Sequence, residues 1–228
     1  MISIELLRHG HPEWTPGGIA VDEPELSELG KVQAERAAES LAQKRFDHVF
    51  VSPLTRTLQT ARPVSERLGM QPQVLPWLAE LGHPPLAGKS TEKVDAFFRQ
   101  ATLRPPEAWW DGLPGGESFL AFTERVQTGM AQLLAGLGIV SYDDSGHRLW
   151  KAQDQDLRLL FIAHVGTGGV MLSYLLNTAV VPWIYTRYNL DHAGLWCVET
   201  APLADGVVWS LRSFNTCDHL KGLPDPPR

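Results

Sequence analysis

A short apolar run at the start of the chain, residues 2–7 (ISIELL), leads directly into Arg8, His9 and Gly10. An apolar run rich in Ile and Leu predicts a buried strand, and Gly10 at its end predicts a turn. In open α/β sheets the carboxyl ends of the strands are where ligands bind. A guanidinium offers a planar fork of donors to phosphate or carboxylate, and a neutral imidazole can act as a nucleophile or carry a proton. The junction therefore predicts a ligand site at the end of the first strand.

Two further predicted strands deliver polar side chains to comparable positions. Residues 157–163 (LRLLFIA) are the clearest buried strand, and His164 follows them directly. Residues 46–51 form another strand, which leads to Arg56 in the first turn of a helix, where free N–H groups favour anions. We expect the two arginines and two histidines to converge on one edge of a sheet as an anion site, with Glu80 in the loop region that closes over it.

Predicted strands alternate with predicted helices along the chain. Apolar residues at helical spacing follow Ser27, which is placed to cap a helix. Strands that alternate with helices are typical of a sheet with helices on both faces. We therefore predict an α/β fold, a three-layer sandwich with a mostly parallel central sheet. The predicted helices cover residues 28–43, 54–68, 91–100, 117–137 and 166–176, and two late strands that could be antiparallel cover 195–199 and 207–211.

Residues 81–116 are irregular and rich in proline and aromatic residues. A long connection of this kind within a compact domain is often a functional lid. We predict that it forms a small cap insertion in a single domain of residues 1–222, because 228 residues suffice for one substantial core. Residues 223–228 are predicted to be a flexible tail, and the polar stretch 142–156 to be a surface excursion.

Composition and charge narrow the range of partners. The net charge of −6 at pH 7 argues against nucleic acid and anionic membranes, although a locally positive pocket can still bind an anionic substrate. No stretch approaches the roughly 20 apolar residues of a membrane span, and no basic region followed by an apolar one opens the chain. We therefore expect a cytoplasmic protein without a signal peptide, in which Cys197 and Cys217 remain free thiols.

Several short motifs follow one another in order along nearly the whole chain. They are LLRHG (6–10), LSELG (26–30), SPLTRTLQTA (52–61), LAE (78–80), GGES (115–118), RV (125–126), His164 and FNTCDHL (214–220). Any one of these pieces is weak evidence by itself. The ordered set resembles the histidine phosphatase superfamily, the phosphoglycerate-mutase-like enzymes.

The resemblance implies a covalent phosphoenzyme. His9 would attack the phosphorus atom of a phosphomonoester and become phosphohistidine, with a carbonyl partner fixing its tautomer. Arg8, Arg56 and His164 would hold the non-bridging oxygens as charge spreads over them in the transition state. Glu80 would protonate the leaving oxygen and then activate the water that hydrolyses the intermediate. The cationic side chains would take the place of metal ions, so no metal and no cofactor is expected.

Three positions depart from the pattern of the family. Thr15 stands where mutase-type members have Asn, and its hydroxyl could still donate one hydrogen bond to phosphate. Val165 follows the second histidine where Gly is common, and its backbone N–H could still bind phosphate. Mutases continue after the acid with Arg-His-Tyr-Gly, whereas residues 81–85 here are LGHPP. This last difference favours hydrolysis of a small phosphomonoester over mutase activity.

Three other functions stay open. A phosphoglycerate mutase would retain the phosphoryl group and return it to another hydroxyl. His9, His11, His164 and Asp191 resemble the ligand set of a metal-dependent hydrolase, although a barrel of that type usually needs about 250 residues. A non-catalytic binding module on the same fold is the third alternative, and the intact set of charged residues argues against it.

Several individual roles also stay open. Glu92 could replace Glu80 as the acid if the cap moves. Separately, an exposed late strand could pair with its copy across a two-fold axis, so a homodimer stays open. His11, His83 and His192 could line the pocket or have structural roles. The aromatic residues around the cap form either its core or a hydrophobic wall for an organic leaving group; they are Trp77, Phe97, Phe98, Trp109 and Trp110.

Overall fold

The structure is a computed structural model that describes residues 1–152 and 156–224. Its helices are α1 (Glu28–Leu41), α2 (Thr55–Leu68), α3 (Thr91–Thr102), α4 (Phe119–Gly136), α5 (Val165–Leu175) and the short α6 (Ile184–Arg187). Its strands are β1 (Ile2–Arg8), β2 (His48–Val51), β3 (Gln73–Val74), β4 (Ile139–Asp144), β5 (His147–Ala152), β6 (Leu157–Ala163), β7 (Leu195–Leu203) and β8 (Gly206–Thr216). The α/β class and the five longer helices are confirmed. The predicted tail lies mostly outside the described residues, which end at 224.

The strands form one mixed sheet in the order β3-β2-β6-β1-β7-β8-β5-β4, so the prediction of a mostly parallel sheet is wrong. Parallel pairing joins β1 to β6, β6 to β2 and β2 to β3. The other half, from β1 through β7, β8 and β5 to β4, is paired antiparallel. Parallel strands need a crossover of a dozen or more residues, whereas β4–β5 and β7–β8 are joined by turns of two residues.

The polar stretch 142–156 is predicted as a surface excursion, but its described part, residues 142–152, lies in a paired hairpin, and residues 153–155 lie outside the described residues. Residues 139–152 form the hairpin β4–β5, closed by a turn in which Ser145 has a φ of 55°. Trp150 of this hairpin is 1% exposed, and its ring centroid lies 6.0 Å from that of Trp209. Because the hairpin has polar residues on its solvent side, its buried positions are not evident from the sequence.

Side chains of β1 enter two apolar cores, one on each face of the sheet. Leu6 and Phe161 belong to the core under α4 and α5, and Leu7 and Ile162 belong to the core under α1 and α2. All four side chains are fully buried. Helices therefore cover both faces, as predicted, and packing on both faces holds the end of β1 in place.

Capping residues set the boundaries of three of the helices. Ser27 accepts a hydrogen bond from the Gly30 N–H at 3.1 Å, and α1 begins after it. Ser118 caps α4 in the same way. Gly69 ends α2 with a φ of 64°, a left-handed conformation that favours glycine.

The sequence also leads to expectations about the cysteines and about membrane-spanning helices. Cys197 and Cys217 carry free thiols, as predicted. Within the ranges 1–152 and 156–224, no helix combines the length and the apolar character that crossing a membrane requires.

Candidate active site

His9 follows β1 and is held by the backbone on both sides. Its N–H donates to the Ala163 carbonyl at 3.0 Å, and its carbonyl accepts from the Ala193 N–H at 3.1 Å. The ring is 4% exposed, and Nδ1 lies 2.8 Å from the Gly10 carbonyl oxygen. Because a carbonyl only accepts, Nδ1 carries the proton and Nε2 carries the lone pair. The predicted carbonyl partner of this histidine is therefore Gly10.

Arg56 lies in the first turn of α2, 3% exposed, and its Nε donates to Nε2 of His9 at 3.3 Å. Its guanidinium carbon lies 5.1 Å from the centroid of a Trp14 ring. Burial lowers the pKa of Arg56, while the carboxylates of Glu80 and Glu23 raise it. A cation is thus fixed beside the one ring nitrogen of His9 that can act as a nucleophile.

Arg8 contributes a second guanidinium. Its terminal nitrogens donate to the Leu190 carbonyl at 2.6 Å and to Nε2 of His192 at 2.8 Å. Its Nε is buried and makes no hydrogen bond to any described residue. Burial lowers the pKa of Arg8 to about 10, with Glu80 and Asp191 opposing the shift. Arg8 therefore stays charged at neutral pH.

His164 follows the last residue of β6 and is the N-cap residue of α5, and it is fully buried. Its ring centroid lies 5.1 Å from that of His9, with the ring planes at 62°. Its Nε2 lies 2.7 Å from the Ser52 hydroxyl, and its Nδ1 is buried without a hydrogen-bond partner in the described chain. The structure thus brings together the two histidines that the sequence places 155 residues apart.

Neutral histidines fit this environment. Burial, followed by the charges of Arg56 and Arg8, lowers the pKa of His164 well below its usual value of 6.5. Burial also lowers the pKa of His9, and His164 and the two arginines add to the shift. Both rings therefore stay uncharged at neutral pH, which keeps the Nε2 lone pair of His9 available.

Glu80 lies against the N-terminus of α5. One carboxylate oxygen accepts from the Gly166 N–H at 2.9 Å, and the other accepts from the N–H groups of Thr167 at 3.1 Å and Leu81 at 3.0 Å. A Cβ atom at Gly166 would lie 2.5 Å from Glu80 Oε1, so only glycine allows this approach. Val165 is the first residue of α5, and N–H groups in a first turn lack partners within the helix.

Arg125 fixes the loop that carries Glu80, a role that sequence reasoning missed. Its guanidinium forms a two-point ion pair with Glu117, with N–O distances of 3.0 and 2.7 Å. It also donates to the carbonyls of Trp77 at 2.9 Å, Ala79 at 3.1 Å and Glu80 at 3.4 Å. The sequence assigns Glu117 only to the start of a helix, because nothing in its spacing reveals contact with residues about forty positions earlier.

A cavity of about 1050 Å³ adjoins these groups. Thr15, Arg56 and Glu80 lie on its wall, so the structure brings Thr15 to the same cavity as the predicted catalytic acid. His83 also lines it, with its ring 6.1 Å from Trp14 and 5.9 Å from Phe98 between centroids. Glu92 lies in the exposed first turn of α3 and is not one of the residues that line this cavity.

The other histidines near the site have defined partners. Nδ1 of His11 lies 2.9 Å from the Ser27 hydroxyl, and His219 donates to the Ala193 carbonyl at 3.0 Å. His192 accepts from Arg8, and burial together with the charge of Arg8 lowers its pKa to about 2. His192 is therefore a neutral acceptor for a guanidinium, a role that the sequence leaves open.

A family model described as the histidine phosphatase superfamily (branch 1) matches residues 4–208. The chain belongs to this superfamily, as predicted. Among its relatives, phosphoserine phosphatase 1 of Hydrogenobacter thermophilus is 31% identical over 56% of this chain and 62% of its own length, less than two thirds of that relative. Glucosyl-3-phosphoglycerate phosphatase of Mycobacterium tuberculosis is 30% identical over 78% of this chain and 77% of its own length.

The fold also matches solved structures. The native structure of a mycobacterial glucosyl-3-phosphoglycerate phosphatase superposes with a TM-score of 0.69 at 26% identity, covering 94% of this chain and 99% of that one. These relatives are named as phosphatases. Their names support the predicted enzyme class, a phosphoric monoester hydrolase of the histidine phosphatase type.

Proposed function

We propose that this protein is a metal-independent phosphatase that hydrolyses a small phosphomonoester through a phosphohistidine at His9. One observation carries the proposal. The Nδ1 proton of His9 is bound to the Gly10 carbonyl, while Nε2 lies 3.3 Å from Nε of Arg56. A neutral imidazole with its lone pair beside a fixed cation is suited to attack a phosphoryl group whose oxygens that cation holds.

The reaction takes two displacements. In the first, Nε2 of His9 bonds to phosphorus, the bond from phosphorus to the ester oxygen breaks, and the Glu80 carboxyl gives its proton to that oxygen. In the second, water bonds to phosphorus, Glu80 takes a proton from the water, and the N–P bond breaks. The sum is ester plus water giving alcohol plus phosphate, with His9 and Glu80 restored.

Unpartnered polar atoms support a phosphoryl group between the two histidines. Nδ1 of His164 and Nε of Arg8 are both buried and have no hydrogen-bond partner among the residues described. Leaving such groups unpaired costs on the order of 1–3 kcal/mol each, and a bound oxyanion would relieve that cost. We assign the non-bridging oxygens to Arg8, Arg56 and His164, and assign further contacts to the Thr15 hydroxyl and the Val165 N–H.

The metal-dependent alternative fits these contacts poorly. Among residues 1–152 and 156–224, no group of three or more His, Cys, Asp or Glu side chains is arranged to hold a metal ion. Asp191, one of the ligands that alternative requires, accepts from the Asn215 side chain at 2.8 Å. The free nitrogen of His9 faces a guanidinium, which would repel a cation at that position.

Partners and location follow from charge and composition. We infer a small phosphorylated substrate, no nucleic acid partner and a cytoplasmic location, because the net charge is −6 and the cysteines are free thiols. A homodimer stays a prediction, but the late strands β7 and β8 lie inside the sheet and are not available for pairing across a two-fold axis; the edge strands are β3 and β4. Light scattering on the purified chain would test it.

Turnover of an aryl phosphate tests the proposed function. We expect His9→Ala to abolish turnover while circular dichroism stays unchanged, and the exposed His147→Ala to retain full activity as the matched control. Vanadate should inhibit the wild-type protein and a chelator should leave it active. Substantial turnover by His9→Ala, or loss of activity with a chelator, would overturn the proposal.

A further inference from the structure

A second cavity of about 260 Å³ adjoins the large one, and Leu81, His83 and Phe98 line both. The rest of its wall is mostly apolar and comes from the end of α3, the loop that follows it, the start of α4 and the segment around α6. We name this cavity the side pocket. The apolar side chains that line it alone include Ala101, Trp109, Leu113, Phe119 and Pro182.

Hydrogen bonds make one wall of the side pocket rigid. The Arg104 guanidinium donates to the Gly112 carbonyl at 2.7 Å and to the Ala101 carbonyl at 3.2 Å. The indole N–H of Trp109 donates to the Arg104 carbonyl at 3.1 Å. Arg104 thus ties the end of α3 to the loop after it, and two of its donors are already bound to backbone.

Tyr185 connects the side pocket to the proposed catalytic acid. Its ring lines the side pocket, and a Cβ atom at Gly166, the residue that binds Glu80, would lie 2.5 Å from Tyr185 Cε1. The Tyr185 hydroxyl is buried and has no hydrogen-bond partner in the described part of the chain. Tyr185 therefore lies between the side pocket and Gly166, the residue whose N–H binds the proposed acid Glu80.

The charges on the wall of the large cavity disfavour a carboxylated substrate. Arg56 and Arg125 are the two cations among the described residues that line it. Arg125 is paired with Glu117 and three carbonyls, and Arg56 is directed at His9. Neither is available for a second anionic group. The same wall carries further carboxylates, those of Asp22, Glu23 and Asp95.

We propose that the leaving group of the substrate is uncharged and apolar, of at least two fused rings or equivalent bulk, and that its far end occupies the side pocket. This inference rests on the phosphatase function proposed above and adds the substrate class. It separates this chain from relatives whose names contain phosphoglycerate or phosphoserine, since those compounds carry a carboxylate and neither Arg56 nor Arg125, the cations of the large cavity, is free to bind it.

Two matched pairs of substrates test the proposal with the full chain. Phenyl phosphate and 2-naphthyl phosphate have similar leaving groups but differ by one ring. We expect kcat/KM to be about tenfold higher for 2-naphthyl phosphate, from burial of the additional carbons. Glycerol 3-phosphate and 3-phosphoglycerate are similar in size and differ by a carboxylate. We expect the carboxylated member to be at least about tenfold poorer, from like-charge repulsion.

A variant that fills the side pocket makes the test specific. Ala101→Phe should reduce the advantage of 2-naphthyl phosphate to about twofold or less and leave phenyl phosphate unchanged. Leu103→Phe is the matched control, because Leu103 is 84% exposed at the end of the same helix and does not line the side pocket. Leu103→Phe should retain the full kcat/KM advantage of 2-naphthyl phosphate over phenyl phosphate.

The outcomes separate the two proposals. Equal rates for the two aryl esters, a preference for 3-phosphoglycerate, or an advantage that survives Ala101→Phe would overturn the inference while the phosphatase function stands. If Ala101→Phe also loses turnover of phenyl phosphate, the kcat/KM ratios of the two substrate pairs, measured on the wild-type protein, decide whether the inference holds. Absence of turnover with all four esters, or turnover that survives His9→Ala, would instead overturn the proposed function.

Discussion

The hydroxyl oxygen of Ser52 lies 2.7 Å from Nε2 of His164, with both side chains fully buried. The Leu54 N–H points to the same hydroxyl oxygen at 3.4 Å, and we infer that the hydroxyl donates its hydrogen to Nε2. His164 then carries its proton on Nδ1, the nitrogen that has no partner among the residues described. Ser52 is thus a positioning residue that makes His164 a donor toward the proposed phosphoryl site.

Ser52→Ala should therefore lower kcat/KM by about tenfold, because the tautomer that donates to phosphate loses its support. Ser173→Ala is the matched control, since Ser173 is 1% exposed and its hydroxyl makes no hydrogen bond to any described residue. The inhibition constant of vanadate should weaken in parallel with kcat/KM for Ser52→Ala alone. Equal effects of both substitutions would show that Ser52 matters only for packing.

Glu80→Gln separates acid catalysis from binding. We expect a loss of about 10²–10⁴-fold in kcat with an alkyl phosphate, whose leaving oxygen needs a proton, and a much smaller loss with an aryl phosphate. The measurement is kcat for both substrates at one pH. Glu92→Gln, in the exposed first turn of α3, serves as the control and should change neither. Equal losses on both substrates for Glu80→Gln would remove this residue from the acid role.

Arg125→Lys should misplace Glu80 without removing it. A lysine cannot reproduce the two-point pair with Glu117 and the three carbonyl contacts. We expect kcat with an alkyl phosphate to fall by about tenfold or more, with aryl phosphate less affected, as for Glu80→Gln. Arg148→Lys, which breaks a carbonyl contact at Tyr174 elsewhere in the fold, should leave both rates unchanged. A loss shared equally by the two substrates would argue for a general structural role.

The buried histidines predict a loss of stability in acid. His9, His164 and His192 all have a pKa lowered by burial, so below about pH 6.5 the unfolded chain binds protons that the folded chain does not. The free energy of unfolding should therefore fall as pH decreases through this range, by up to about 1.4 kcal/mol per pH unit for each histidine. Urea titrations at pH 7 and pH 5 measure it.

His192→Gln isolates one of these contributions. Because the pKa of His192 is about 2, its effect on stability falls between roughly pH 6.5 and pH 2. Replacing His192 should therefore reduce the slope of the free energy of unfolding against pH by the contribution of one histidine. An unchanged slope would mean that His192 does not titrate differently in the folded and unfolded chains.

The placement of the two histidines was predictable from the sequence because it depends on the strongest patterns in the chain. Two buried runs of apolar residues form β1 and β6, and their parallel register aligns Arg8 with Ala163. His9 and His164 each follow these aligned residues, so they meet at one edge of the sheet. Local pattern and parallel pairing suffice for this part of the site.

The remaining features depend on contacts that no local pattern reveals. Arg8 and His192 are 184 positions apart, and Glu117 reaches the Gly82 N–H across 35 positions. The antiparallel half of the sheet was missed for a related reason. The hairpin β4–β5 presents polar residues to solvent, and its buried Trp150 packs against residues distant in the sequence, Trp209 of β8 and Tyr174 of α5.

Direct detection of a phosphorylated His9 is the sharpest test of the central claim, that this nitrogen takes the phosphoryl group. The protein is mixed with an excess of aryl phosphate, quenched in alkaline denaturant, digested and analysed by mass spectrometry. We predict one added phosphoryl group on the peptide that contains His9, stable in alkali, labile in acid and absent from His9→Ala. Turnover by the wild-type protein with no phosphorylated His9 at any quench time, or with the phosphoryl group on another residue, would contradict the account.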